Sequence, residues 1–137
     1  RRRHTWRPEQ TSLRALSFRA MSEAPDTLEG FRHFREKMNA AILAADNLNI
    51  KRFFALDTRT YEAGALPVKT KELLGLVASL VLRCDDCITY HLVRCREEGV
   101  SDAELHEAFA VGLVVGGSIV IPHLRRAVAR LEELPKQ

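Results

Sequence analysis

The sequence predicts an all-α fold, and three observations lead there. Apolar residues recur at three- and four-residue steps along nearly the whole chain after residue 27. Helix punctuation stands where those runs stop, at Gly64, Pro67, Gly99 and a Ser101/Glu104 pair. Strand evidence is confined to 118–121, which is β-branched but short and has no alternating partner. The expectation is a single-repeat bundle of about six helices with no low-complexity segment.

In the first helix Leu28, Phe31, Phe34, Met38, Ala41, Ile42 and Ala45 share one apolar face, and 46–49 (Asp-Asn-Leu-Asn) breaks it. A second helix over about 50–63 places Phe53, Phe54 and Leu56 inward and stops at Gly64. Pro67 precedes a third, over about 69–83. Leu73, Leu74, Leu76, Val77, Leu80, Val81 and Leu82 make it apolar nearly all round, which predicts central burial. The fourth runs from near Asp85 to Gly99, with Asp85 or Asp86 as its cap. Ser101 and Glu104 form a capping box for the fifth, which extends to about Gly116 and carries a small apolar face (Ala108, Ala110, Val111, Leu113, Val114). After Gly116-Gly117 a last helix starts at Ile119 or Pro122 and ends near Glu133.

The 137 residues are enough for one domain with a real core; 46% are hydrophobic and 28% charged, an ordinary globular mixture. The net charge of +3 hints at an anionic partner until it is divided along the chain. Residues 1–20 hold Arg1, Arg2, Arg3, Arg7, Arg14 and Arg19 against Glu9 alone, which makes them +5 and leaves −2 for the rest. With no basic patch or aromatic platform, nucleic acid falls away as a partner. Met21-Ser22-Glu23-Ala24-Pro25 resembles a native start, so 1–20 is expected to be a non-native or disordered basic extension and 21–137 the domain. The apolar run over 105–121 is interrupted by Gly112, Gly116, Gly117 and Ser118, too short and broken for a membrane span, and 1–20 lacks the apolar core of a secretory signal. Three cysteines are no disulfide framework and suit a reducing compartment, the cytoplasm.

Chemistry concentrates in 84–91, Cys-Asp-Asp-Cys-Ile-Thr-Tyr-His. A Cys-x-x-Cys at a helix start brings two sulfurs within bonding range, and the helix N-terminus favours a thiolate. His91, four residues after Cys87, lies on the same face and can take a thiol proton. Arg83 assists a thiolate, whereas Asp85 and Asp86 oppose one unless they point away. The pair alone fits redox chemistry, zinc or chance, and His91 keeps the first two open. Against zinc, Cys95 is the obvious fourth ligand, but it stands about 16 Å of helix rise from Cys84. Cys95 therefore reads as a core or interface residue, and His33, His106, His123, Lys69 and Lys71 as surface or interface residues. Glu72, twelve residues before Cys84, suits a solvated first turn as well as an active site.

Glu72, Cys84, Cys87 and His91 at this spacing resemble the active-site signature of AhpD-like alkylhydroperoxidases, in the carboxymuconolactone decarboxylase superfamily. The Leu-Pro-x-Lys-Thr-Lys-Glu lead-in at 66–72, the turn at Gly99/Ser101 with Glu104, and Gly116-Gly117 agree as well, so the likeness covers about 28–133. It implies an all-helical homo-oligomer, a trimer or more often a hexamer, and no cofactor or metal. Members with both cysteines are thiol-dependent peroxidases or disulfide reductants; members that process lactones generally lack the pair. Asp85-Asp86 departs from relatives, which often carry bulkier residues there.

By that likeness Cys87 attacks a peroxide as a thiolate, His91 relays the proton and Glu72 orients His91. Cys84, taken as the outer sulfur nearer the helix start, closes a redox disulfide with Cys87. An external dithiol, of thioredoxin or lipoyl type, reopens it at Cys84. Two other readings stand beside this one. A cofactor-free decarboxylase or lactone-processing enzyme would use Glu72 and His91 as acid and base, and a redox-sensing oligomer would not turn over.

Overall fold

The structure is a computed structural model that describes residues 27–136. The basic extension at 1–20 lies outside the described residues. Six α-helices follow one another: α1 (Leu28–Ala44), α2 (Leu48–Thr60), α3 (Val68–Leu82), α4 (Asp85–Glu97), α5 (Asp102–Gly116) and α6 (Ile121–Glu132). A 3-10 turn, Ser118–Val120, joins α5 to α6, so the β-branched run is a helical connector. No strand occurs among the described residues.

The chain divides into two units between Lys37 and Met38, within α1. In the first, Leu28 and Phe31 are buried. The second contains the core, where α3 packs on α4 and α5, and α4 packs on α6. Leu76 and Leu80 of α3 meet Ile88, Leu92 and Cys95 of α4 there, with Leu105 and Val120, all essentially without exposure. Burying each large aliphatic side chain stabilises the fold by about 1.5–3 kcal/mol.

Local chemistry sets the helix ends. Asn47 caps α2 by accepting the N–H groups of Asn49 and Ile50, so the polar break at 46–49 is already the start of the next helix. The Ser101/Glu104 box forms as predicted: Ser101 Oγ accepts the Glu104 N–H at 3.3 Å, and the Glu104 carboxylate accepts the Ser101 N–H at 2.8 Å. Lys69 Nζ, 2.8 Å away, ties that carboxylate to α3. Arg83 ends α3 in the left-handed region at φ 61, and its N–H and that of Cys84 close onto carbonyls of α3. This tight turn leaves Cys84 at the N-cap of α4.

Three expectations about burial are corrected. The α1 face is open beyond Phe31, with Phe34 and Ile42 exposed. On α2, Phe53 and Leu56 are 68% and 62% exposed, and only Phe54 is half-buried. Helix α3 is not enclosed all round: Glu72, Gly75, Leu76, Ser79 and Leu80 are buried, while Leu74 and Leu82 face out. Within one chain α3 has neighbours on one side, so its second apolar face joins Val111 and Val115 of α5 in an open groove of about 540 Å3.

Candidate functional site

Helices α3 and α4 meet closely because Gly75 has no side chain. A Cβ there would sit 2.5–2.8 Å from three atoms of the His91 ring, so the imidazole occupies the space a side chain would take. Glu72 lies one turn earlier on the same buried face of α3 and is 1% exposed. Its Oε2 accepts a hydrogen bond from His91 Nδ1 at 2.8 Å, and its Oε1 faces Arg94 Nε at 3.4 Å. A carboxylate can only accept, so Nδ1 carries the proton and Nε2 is the basic nitrogen. Glu72 is therefore no solvated first-turn residue; its burial is offset by two cationic or polar partners.

Two further residues complete this cluster, and sequence reasoning missed both. The Tyr61 hydroxyl stands 3.4 Å from His91 Nε2, and the two rings lie 5.2 Å apart. Burial, with Glu72 next, pushes the Tyr61 phenol above its ordinary pKa, so it stays a protonated donor. No pattern in the sequence marks Tyr61, which follows α2 in a turn. Arg94 carried a signal: it is three residues after His91 and so shares its helix face. Tyr61, Glu72, Tyr90 and Arg94 also line a cleft of about 380 Å3 together with Asp57 and Thr58.

Cys84 and Cys87 are joined in a disulfide, with Cα atoms 5.3 Å apart. Cys84 is itself the N-cap residue of α4, and its Sγ accepts the Cys87 N–H at 3.4 Å. The expected cap, Asp85 or Asp86, is thus displaced by a sulfur. Exposure also reverses the expected order, since Cys87 is exposed and Cys84 half-buried. The extended backbone at the cap folds the Cys84 side chain back over the helix end, whereas Cys87 projects from the first turn. Among the described residues the hydrogen-bond partners of His91 are Glu72 and Tyr61, so the site has two parts on α4, the disulfide and the imidazole cluster one turn on.

Asp85 turns away to α6, where it meets His123 Nδ1 at 2.8 Å and Arg126 Nη1 at 2.9 Å. His123 is consequently a half-buried partner of Asp85, the residue after Cys84, and not simply a surface residue. His33 and His106 are exposed, as anticipated. Cys95 is buried, and desolvation followed by the charge of Glu72 pushes its thiol up to about 12. Lys69 and Lys71 bind Glu104 and the carbonyls of Thr60 and Glu62. No group of three or more His, Cys, Asp or Glu that could hold a metal occurs among the described residues. No helix among them is long and apolar enough to cross a membrane.

Residues 49–130 match the model of the carboxymuconolactone decarboxylase family. A Paracoccus denitrificans protein, called uncharacterized protein 4 in the cox locus, is 30% identical over 82 residues, which are 60% of this chain and 74% of its own. A crystal structure from Thermotoga maritima superimposes with a TM-score of 0.73 and 63% identity over 75% of this chain and 87% of that one. That protein is described as a carboxymuconolactone decarboxylase family member for which a part in the antioxidative response has been suggested. A family protein from Legionella pneumophila, in its apo form, has the same fold at 22% identity, with a TM-score of 0.72 over 80% of this chain and 97% of that one.

Proposed function

The chain belongs to the carboxymuconolactone decarboxylase family, and from that premise we propose that it is a thiol-dependent peroxidase or disulfide reductase of the AhpD type. The observation that carries this reading is the Cys84–Cys87 disulfide at the start of α4, one turn before the buried Glu72–His91 pair. The Thermotoga neighbour's suggested antioxidative role supports it.

In the reduced enzyme the Cys87 thiol gives its proton to His91 Nε2, on the same face of α4. Glu72 holds the ring by Nδ1 and balances the imidazolium that forms; Tyr61 donates to Nε2 when the ring is neutral. The exposed Cys87 thiolate attacks the terminal peroxide oxygen. The O–O bond breaks, the leaving alkoxide takes the proton from His91, and Cys87 becomes a sulfenic acid. The Cys84 thiol then displaces water and closes the disulfide. An external dithiol attacks the more exposed sulfur, that of Cys87, and releases Cys84 as a thiolate that the Cys87 N–H stabilises. The second thiol of the reductant completes the exchange. One peroxide and one dithiol give one alcohol, one water and one disulfide.

One observation favours a second reading. The cleft beside Tyr61 and Glu72 is lined by no cysteine, as an acid–base site for decarboxylation or lactone chemistry would be. Stopped-flow peroxide consumption with several dithiols separates the two, using the wild type and Cys84→Ser, Cys87→Ser and His91→Gln. The redox reading expects each substitution to abolish or sharply slow turnover. Activity that survives alkylation of both cysteines refutes it.

We further propose a cytoplasmic homo-oligomer. The open groove between α3 and α5 and the exposed apolar residues of α2 support it.

A further inference from the structure

The two aspartates between the cysteines set a problem, because a carboxylate beside a forming thiolate disfavours it. Asp85 adjoins Cys84 in the chain, and both its oxygens are engaged by one face of α6: Oδ1 by His123 and Oδ2 by Arg126. His123 and Arg126 are three residues apart, so both reach the start of α4 from a single helix turn. The other ionisable groups near the two cysteines are Arg83 on the turn before Cys84, Asp86, Arg125 on the same turn of α6 and, one turn further along α4, His91 with its partner Glu72. The last turn of α3, which packs on α4, has no charged side chain. Arg126 is thus a cation placed directly on the carboxylate that would otherwise oppose the thiolate.

We infer that Asp85, His123 and Arg126 form a charge clamp that sets the acidity of the Cys84–Cys87 dithiol. Arg126 and His123 act as positioning residues through Asp85: the Arg126 guanidinium neutralises its carboxylate, and both hold it toward α6. The thiolate formed on two-electron, two-proton reduction of the disulfide then faces little uncompensated negative charge. Losing Arg126 frees that charge, raises the thiol pKa and makes the thiolate a smaller fraction of the reduced protein at neutral pH. This deepens the redox reading of the same cysteines, but the clamp is tested without any peroxide.

The experiment is the pH profile of iodoacetamide alkylation of the reduced full chain, with mass spectrometry assigning label to Cys84 and Cys87. The variants are Arg126→Ala, Asp85→Asn and the two combined. Arg126 is 62% exposed, so its truncation is expected to leave the fold intact, and thermal melts check that. Arg126→Ala is expected to raise the midpoint so that the labelling rate at neutral pH falls about three- to tenfold. Asp85→Asn is expected to leave the midpoint near that of the wild type, because the carboxylate it removes is already compensated, and adding Arg126→Ala to it is expected to change nothing more. An unchanged midpoint in Arg126→Ala overturns the inference, and a lowered melting temperature beside it reduces the cluster to a strap between helices. An Arg126→Ala effect that persists with Asp85→Asn overturns it too, because the guanidinium would then act on sulfur directly. A wild type that labels as described but consumes no peroxide with any dithiol refutes the proposed function and leaves the clamp standing.

Discussion

Gly75→Ala adds one methyl group at the seat of His91. The new Cβ would lie 2.5 Å from one ring carbon and within 2.8 Å of two nitrogens, and ordinary contact begins near 3.4 Å. The imidazole must therefore retreat by about 0.9 Å, or α3 and α4 must separate by a similar amount. Neither movement is free, because Glu72 holds Nδ1 at 2.8 Å and the ring is buried. Overpacking of this kind costs about 1–3 kcal/mol. In a chain of this size each kcal/mol lowers Tm by roughly 3–4 °C. A misplacement near 1 Å in a proton-transfer group costs on the order of 10²-fold in rate. The assays are differential scanning calorimetry and dithiol-dependent peroxide consumption. Gly64→Ala serves as control, since a Cβ there meets only the end of Lys71 at 3.9 Å. Wild-type Tm and turnover in Gly75→Ala would refute the claim that this glycine seats the imidazole.

Tyr61→Phe is expected to leave stability within about 0.5 kcal/mol of wild type and to lower kcat several-fold at unchanged KM; an unaltered kcat removes Tyr61 from the relay. Cys95, with its thiol near 12, is expected to resist alkylation in the native reduced protein, so intact mass should show two adducts and a third only after denaturation. Glu104 is held down to about 2, from 4.5 when unperturbed, first by Lys69 and then by Ser101. Its contribution is present in full above 4.5 and is lost as pH falls from there toward 2, so Glu104→Gln should flatten the acid limb of a Tm–pH curve over that interval. Leu82→Asp combined with Val114→Glu places charge on the two most exposed apolar positions of α3 and α5, 76% and 86% open. Light scattering should show a smaller particle than wild type, and an unchanged mass would locate any interface elsewhere.

Periodicity and capping made the helices legible. The boxes at Ser101 and Glu104, the stop before Gly64 and the start near Asp85 are short-range interactions between neighbours in sequence, so the sequence carries them. Burial was not legible to the same degree. Phe53, Leu56 and Leu82 read as core because apolarity says that a residue avoids water, not which surface covers it. The cap of α4 was misread for a related reason: Asp85 is a good cap in isolation, but His123 and Arg126, 38 and 41 residues later, compete for its carboxylate.

By itself the sequence determined the all-α class, which rests on periodicity and caps, and the family likeness, which rests on a motif in fixed order and implies the pairing of Cys84 with Cys87. The tertiary structure alone decided what stands around them. It buried Glu72 against His91, brought Tyr61 to the second ring nitrogen, exposed Cys87 over Cys84 and turned Asp85 to α6. Those contacts join residues 19 to 41 positions apart, and only the packing of α3, α6 and the turn after α2 on α4 selects them from the many polar pairs that the composition would allow.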